Sequence, residues 1–258
     1  MTVTEFIVII PARYGSTRLP GKPLRSLAGR PMIEHVYRRA VASGAVRVLV
    51  ATDDRRIVAA CQAFGAEALM TDPAHATGTD RLAEVVRRER FPDEAIVVNL
   101  QGDEPLMPPR LLHQVAEVLD RCPGVAIATL ATPLHDPAEL ASPHVVKVVV
   151  AADRRALYFS RAPIPWDREA GSHTPAVLTK AGMYRRHLGI YAYRAAFLRR
   201  YQMLSPCELA QHEQLEQLKM LWHGESIQVE DAQEPSGPGV DTEADLLLVE
   251  RRLSRLSH

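Results

Sequence analysis

The hydrophobic positions of this chain follow two alternating patterns over the first two-thirds of the sequence. Apolar runs of strand length, such as 6–10 and 95–100, alternate with amphipathic segments of helical length, such as 31–43 and 109–120. Runs that are apolar at every position indicate strands buried on both faces, and their alternation with helices is typical of a parallel sheet. The pattern therefore predicts an α/β fold with a mostly parallel sheet and helices on both of its faces.

The same pattern predicts where each element of this region begins and ends. We predict strands at residues 6–10, 46–52, 66–70, 95–100 and 125–132. We predict helices at residues 31–43, at 79–90, at 109–120, and between the second and third strands to about 64. Five strands joined by four helices are enough to form the core of one α/β domain.

The regular alternation of predicted strands and helices ends after residue 132. Two apolar runs, 145–151 and 156–160, flank a polar tetrapeptide and predict an antiparallel hairpin. A strand at 188–193, a helix at 207–223, a strand at 227–229 and a C-terminal helix at 242–256 follow. We predict one structural unit, with an α/β core at 1–132, a smaller β-rich lobe at 133–190, and residues 191–258 completing the core. A ligand is expected at the seam between the core and the lobe.

The composition excludes several classes of protein. The chain has 31 basic and 31 acidic residues, so its formal charge of zero does not favour binding to nucleic acid or to an anionic membrane. Its three cysteines are far apart, which argues against a disulfide scaffold and fits a reducing compartment. There is no apolar stretch of membrane-spanning length and no signal-peptide pattern. We therefore expect a cytoplasmic protein.

A basic, glycine-containing loop follows the first predicted strand. Gly15 and Gly21 allow a close approach of the backbone, and the cations Arg13, Arg18 and Lys22 suit a polyphosphate. The spacing fits neither a Walker A loop nor the dinucleotide-binding GxGxxG motif. The alternative is a solvated basic surface loop, but its position beyond a buried strand favours phosphate binding.

Two aspartates are candidate ligands for a hard cation. Asp103 follows the fourth predicted strand on a Gly-Asp turn, and carboxyl ends of parallel strands are where α/β proteins bind ligands. Mg²⁺ accepts one or two carboxylates together with phosphate oxygens, and Asp241 offers the second carboxylate. The alternatives are that Asp103 caps its turn and that Asp241 caps the C-terminal helix. The sequence at His212-Glu213 lacks the second histidine of a zinc-protease motif, and no GxSxG motif is present.

The segment 9–24 resembles the nucleotide loop of the 3-deoxy-manno-octulosonate cytidylyltransferase family. The similarity runs in order through most of the chain. It includes the segments 51–54, 77–81, 99–105, 158–166, 187–191, 215–218 and 239–242. The resemblance implies a Rossmann-like nucleotidyltransferase fold and the transfer of CMP from CTP to the anomeric hydroxyl of 3-deoxy-manno-octulosonate (Kdo). The products would be CMP-Kdo, for lipopolysaccharide biosynthesis, and pyrophosphate.

The resemblance also implies a role for particular residues. Arg13, Ser16 and Lys22 would bind the CTP phosphates, and the cytidine would be bound by Gly78, Thr79, Arg81 and Gln101. Asp103 and Asp241 would hold Mg²⁺ and, with Lys22 and Arg13, form the catalytic group. The sugar acid would be bound by Arg161, Arg168, His187, Tyr191, Glu216 and Gln217. The family further implies a homodimer formed through the small lobe.

Two other functions stay open from the sequence. A nucleotidyltransferase for another acidic sugar, such as an amino-Kdo, would share the phosphate loop and differ around 161–168 and 187–191. A non-catalytic nucleotide-binding regulator would keep the loop without the metal carboxylates, and the presence of Asp103 and Asp241 argues against it.

Overall fold

The computed structural model describes residues 4–15, 19–168 and 183–256. The strands are β1 (Phe6–Ala12), β2 (Ser26–Leu27), β3 (Arg30–Pro31), β4 (Arg47–Thr52), β5 (Glu67–Met70), β6 (Ile96–Asn99), β7 (Ile127–Pro133), β8 (Lys147–Val150), β9 (Ala156–Ser160), β10 (Arg185–Arg194) and β11 (Ile227–Asp231). The helices are α1 (Met32–Ala42), α2 (Arg55–Ala63), α3 (Gly78–Arg88), α4 (Pro109–Asp120), α5 (Pro137–Ala141), α6 (Ala195–Tyr201), α7 (Glu208–Glu213), α8 (Glu216–Trp222) and α9 (Glu243–Leu256). A short 3-10 helix spans Lys22–Leu24.

One large sheet organises these elements. Its strand order is β11-β7-β10-β6-β1-β4-β5, and β8 and β9 extend it from the side of β10. The pairs β1–β4, β1–β6, β4–β5 and β7–β11 are parallel, whereas β10 is antiparallel to both β6 and β7. The carboxyl ends of β1, β4 and β6 therefore lie at one edge of the sheet, and the predicted mostly parallel α/β fold is confirmed.

The side chains of β1 are buried on both faces of the sheet. Val8 and Ile10 are in one buried cluster with residues of α1 and α4, and Ile9 is in a second cluster with residues of α3 and α6. Successive side chains of a strand point to opposite faces, so a fully apolar strand needs helices on both sides. This is the physical basis of the apolar run in the sequence.

The predicted hairpin is confirmed, and one predicted helix is wrong. Strands β8 and β9 pair antiparallel, and β8 joins the main sheet through the pair Lys147–Arg186. The predicted helix at 207–223 is two helices, α7 and α8, because Gln214 takes a left-handed conformation with φ of 53°. Strand β10 crosses the predicted limit of the lobe at residue 190, and the division into core and lobe stays a prediction.

None of the helices in residues 4–15, 19–168 and 183–256 is both long enough and apolar enough to cross a membrane.

Candidate active site

A cleft of about 300 Å³ opens where the loops after β1, β5, β6 and β11 meet. Seven of the sequence-predicted site residues line it, namely Arg13, Lys22, Gly78, Arg81, Gln101, Asp103 and Asp241. The parallel strands direct these loops to the same side, so residues distant in sequence meet at one edge of the sheet. Ser16, which the resemblance assigns to phosphate binding, lies outside the described residues.

Lys22 lies between the two predicted metal ligands. Its Nζ is 2.8 Å from Oδ2 of Asp103 and 2.9 Å from Oδ1 of Asp241. Burial lowers the pKa of Lys22 and the two carboxylates raise it, and the carboxylates prevail, so the pKa lies above its usual value. Lys22 is therefore a charged ammonium, and its side chain is only 12% exposed rather than solvated.

The backbone before Lys22 is fixed by Tyr14. Gly21 has φ of 65°, and a Cβ there would lie 3.2 Å from the ring of Tyr14, which explains why glycine occupies this position. The amide of Tyr14 donates to Oδ1 of Asp53 at 3.2 Å, and the guanidinium of Arg56 lies 3.4 Å from the centre of its ring. These contacts fix the phosphate loop at Tyr14 and at Gly21.

A second close approach positions Asp103. Gly102 lies so near the end of β1 that a Cβ there would be 2.8 Å from the carbonyl oxygen of Pro11. The amide of Val240 donates to the backbone carbonyl of Asp103 at 2.9 Å. This bond places Asp241, the next residue, beside Asp103, although nothing local in the sequence brings the two together.

The structure argues against the capping role for Asp241. Thr242 caps α9 instead, since its hydroxyl accepts from the amide of Asp245 at 3.3 Å and its own amide donates to Asp245 at 2.9 Å. Within the described residues, no backbone amide donates to the carboxylate of Asp103, which receives Lys22. Both aspartates are therefore turned toward the cleft.

The carboxylates around Lys22 fit a divalent cation. Glu104 is partly buried, and burial together with the charges of Asp103 and Asp241 raises its pKa to about 8. With this pKa, Glu104 is mostly a neutral acid at pH 7. Asp103 and Asp241 are two carboxylates on the single ammonium of Lys22, so one negative charge in this corner of the cleft stays unbalanced. Two carboxylates with phosphate oxygens and water complete the oxygen set that Mg²⁺ prefers. Among the described residues there is no group of three or more histidine, cysteine or acidic side chains suited to a metal.

The first turn of α3 forms another wall of the cleft. Thr77 caps the helix in a reciprocal pair with Asp80, and Gly78 packs against Pro11, with its ideal Cβ position 3.3 Å from the proline ring. Arg81 is 3% exposed, donates to the hydroxyl of Thr71, and pairs with Oδ2 of Asp53 at 3.2 Å. Thr79, in the same turn, is buried.

The six predicted sugar-binding residues lie outside the lining of this cleft. His187 is buried, with Nε2 3.0 Å from the hydroxyl of Thr129, and burial lowers its pKa to about 3. Tyr191 is buried with a ring 5.3 Å from that of His187, and its hydroxyl has no partner in the described part of the chain. His187 is therefore a neutral imidazole.

The other predicted sugar-binding residues are divided between buried and exposed positions. Glu216 accepts from the hydroxyl of Tyr201 at 3.0 Å, and burial raises its pKa; the neighbouring Gln217 is 5% exposed. Arg161 donates to the backbone carbonyls of Glu213 at 2.7 Å and Pro143 at 2.8 Å. Arg168 is exposed at the end of a described segment. A shared sugar pocket for these six residues stays a prediction.

Two residues of the site were missed by sequence reasoning. His75 lines the cleft, with Nε2 2.6 Å from Oε2 of Glu84, and Asp53 connects the phosphate loop to Arg81. Both follow predicted strands at the edge that carries the site, and this position is the signal that could have identified them. Asp53 lies in the segment 51–54 that resembles the family, but a single sequence does not reveal which loop its carboxylate contacts.

Comparisons with known proteins identify the family of this chain. A family profile described as "Cytidylyltransferase" matches residues 7–227. A 3-deoxy-manno-octulosonate cytidylyltransferase of Halorhodospira halophila is 60% identical over 98% of each chain, and one of Methylococcus capsulatus is 52% identical over 97% of each. A solved CMP:2-keto-3-deoxy-manno-octonic acid synthetase in complex with CTP has a TM-score of 0.87 and 44% identity, covering 98% of this chain and 99% of its own. The chain therefore belongs to the 3-deoxy-manno-octulosonate cytidylyltransferase family.

Proposed function

We propose that this protein transfers CMP from CTP to the anomeric hydroxyl of Kdo, giving CMP-Kdo and pyrophosphate for lipopolysaccharide biosynthesis. The observation that carries the proposal is the convergence of Lys22, Asp103 and Asp241 beside the first turn of α3 in one cleft. The names of the relatives, and the CTP in the similar solved structure, support CTP and Kdo as substrates.

The cationic residues of the loop act on the phosphates. Arg13 is exposed and lines the cleft together with Lys22, which supports their assignment to the triphosphate, with Ser16 as a further predicted ligand. The hydroxyl oxygen of the sugar attacks the α-phosphorus, a new O–P bond forms as the O–H bond breaks and its proton passes to solvent, and the bond to the pyrophosphate breaks with its electrons on the leaving group. Preorganised cations stabilise that charge as it develops.

The wall formed by α3 is the proposed cytidine site. Gly78, Thr79, Arg81 and Gln101 are assigned to the nucleoside, and three of them line the cleft while Thr79 is buried behind it. Since Arg81 is held by Asp53 and Thr71, its guanidinium is fixed before a nucleotide binds. Such pre-organisation reduces the entropy lost on binding.

Asp103 and Asp241 would hold the divalent cation of the proposed reaction. When bound there, Mg²⁺ would supply positive charge to the phosphates and orient their oxygens. The chain contributes the two carboxylates, whose backbones are held close together by the hydrogen bond between the amide of Val240 and the carbonyl of Asp103.

The sugar acid is assigned to the region that follows β9 and to β10 and α8. Arg161, Arg168, His187, Tyr191, Glu216 and Gln217 form this set, and a planar guanidinium suits the carboxylate of Kdo. We further propose a cytoplasmic enzyme and a homodimer formed through the β-rich lobe.

The release of pyrophosphate tests the proposal. CTP with Kdo should give turnover, whereas CTP alone, or UTP, ATP and GTP with Kdo, should give far less. Equal turnover of all four nucleotides would contradict the assignment to CTP. An amino-Kdo in place of Kdo tests the alternative acidic sugar, and faster turnover with it would favour that substrate.

A further inference from the structure

The cation between the two candidate metal ligands is supplied by the chain itself. Nζ of Lys22 contacts Asp103 at 2.8 Å and Asp241 at 2.9 Å, so one ammonium bridges both carboxylates. Lys22 is 12% exposed, whereas the two carboxylates are 36% and 51% exposed. The ammonium thus lies on the inner side of the pair, and the carboxylates can be reached from the cleft.

An ammonium and a divalent cation compete for such a pair. Mg²⁺ binds carboxylate oxygens at about 2.0–2.1 Å and keeps a near-octahedral shell, which leaves no room for an ammonium bonded to the same two oxygens. Two cations at this separation would also repel each other strongly in a partly buried site. A metal ion bound by both aspartates therefore requires Lys22 to leave at least one of them.

Only the side chain of Lys22 has to move for this exchange. Its backbone is fixed, since its amide donates to Leu19 at 3.2 Å and its carbonyl accepts from Arg25 at 3.1 Å. A lysine side chain has four flexible methylene groups and a point charge that finds new partners easily. The nearby phosphates of a bound nucleotide would offer such partners, with oxygens that carry full negative charge.

We propose that Lys22 acts as an internal cation that occupies the divalent site of the nucleotide-free enzyme and moves to the phosphates when nucleotide binds. This rests on the proposed function. The consequence is that metal binds weakly to the free enzyme and tightly with nucleotide, so the two ligands bind with positive coupling. Coupling between two ligands is reciprocal, and metal therefore raises the affinity for nucleotide by the same factor.

Binding of Mn²⁺ alone, followed by the electron paramagnetic resonance signal of the free ion, tests the proposal. In the absence of nucleotide, Lys22→Met should bind Mn²⁺ with a Kd at least about tenfold lower than the wild-type enzyme, because the competing charge is gone. Lys22→Gln, measured in parallel, should behave in the same way. Circular dichroism establishes that each variant is folded.

Arg13→Met is the matched control. It also removes one positive charge from the cleft, but Arg13 is exposed and contacts neither aspartate within the described residues. Its Mn²⁺ affinity should stay within about threefold of wild type, because a solvated charge is screened. An equal gain in Arg13→Met would mean that net charge, rather than occupation of the site, limits metal binding, and would overturn the proposal.

The coupling between metal and nucleotide gives a second readout. CTP should increase Mn²⁺ affinity by a larger factor in the wild-type enzyme than in Lys22→Met, in which no internal cation has to be displaced. Unchanged Mn²⁺ affinity in both lysine variants, or an equal coupling factor in variant and wild type, would overturn the proposal. These outcomes are independent of Kdo turnover, so they are separable from a failure of the proposed function.

Discussion

The role of each side chain in the candidate site depends on the group that it contacts. Asp103 and Asp241 could each have been a cap, but the structure gives the capping of α9 to Thr242 and leaves both carboxylates on Lys22. The resemblance to the family predicts that both aspartates bind one metal ion. In the structure they lie side by side, because the amide of Val240 donates to the backbone carbonyl of Asp103. At the same scale, Arg161 donates to the backbone carbonyls of Glu213 and Pro143, and its role toward the sugar acid stays a prediction.

The two aspartates provide a test at the scale of single residues. Asp103→Asn and Asp241→Asn should each reduce the rate of CMP transfer by about 10²-fold or more, as is typical for the loss of one preorganised charge in an active site. The double variant should be little slower than either single variant, because the two carboxylates act on one cation. Rates measured across a magnesium titration check this. Wild-type turnover with an unchanged magnesium requirement would contradict a shared metal site.

The elements bring the loops of the site together through close backbone contacts. β1 and β6 are neighbours, and Gly102 lets the turn after β6 pass against the end of β1. The phosphate loop and α3 are connected in a comparable way, since Asp53, which follows β4, contacts both Tyr14 and Arg81. Three parallel strands thus fix the relative positions of loops that would otherwise move independently.

Gly102→Ala tests this contact between strands. Its Cβ would lie 2.8 Å from the carbonyl of Pro11, so we expect a loss of about 1–3 kcal/mol in the free energy of unfolding. The shift of the Asp103 turn should also lower kcat. Gly124→Ala is the control, because its Cβ would meet nothing within 4 Å, and it should leave both quantities nearly unchanged. Urea denaturation and steady-state rates give the two readouts, and equal stability of the two variants would contradict the argument.

The elements also show how far the sequence predicts the fold. Apolar runs predicted β1, β4, β6 and β7 within a few residues, because a strand buried on two faces leaves an unmistakable pattern. The break between α7 and α8 at Gln214 was not predicted, since no glycine or proline in the sequence marks the left-handed conformation there. The order of the strands was not predictable either, because periodicity carries no information about which strands pair.

At the scale of the whole molecule, the sheet pairs strands that are far apart in the sequence. β10 pairs with both β6 and β7, so the last third of the chain supplies a central strand of the sheet. His187 lies on this strand and is fully buried as a neutral imidazole. The protonation of this residue is therefore coupled to the unfolding of the molecule.

The contribution of His187 to the free energy of unfolding should fall in acid for this reason. The pKa of His187 is lowered to about 3 in the folded protein, against about 6.5 when unfolded, so the unfolded chain binds one more proton between these values. Stability from this group is complete above pH 6.5 and is lost as the pH falls, by at most about 1.4 kcal/mol per pH unit.

Urea denaturation of His187→Gln and of the wild-type protein between pH 7.5 and 4.5 checks this. The variant lacks the titrating imidazole, but its side-chain amide can donate to the hydroxyl oxygen of Thr129, so its free energy of unfolding should depend less steeply on pH below 6.5. If the free energy of unfolding depended equally on pH in the two proteins over this range, the lowered pKa of His187 in the folded protein would be contradicted.

The central position of β10 has a consequence for biosynthesis. A ribosome releases the chain from its amino end, so β6 and β7 emerge long before residues 185–194, which separate them in the finished sheet. Until then each of the two strands has an open edge, and open edges are templates for pairing with another chain. The nascent polypeptide therefore passes through a stage at which it is prone to aggregation, and a chaperone that shields exposed strands would act on it at that stage.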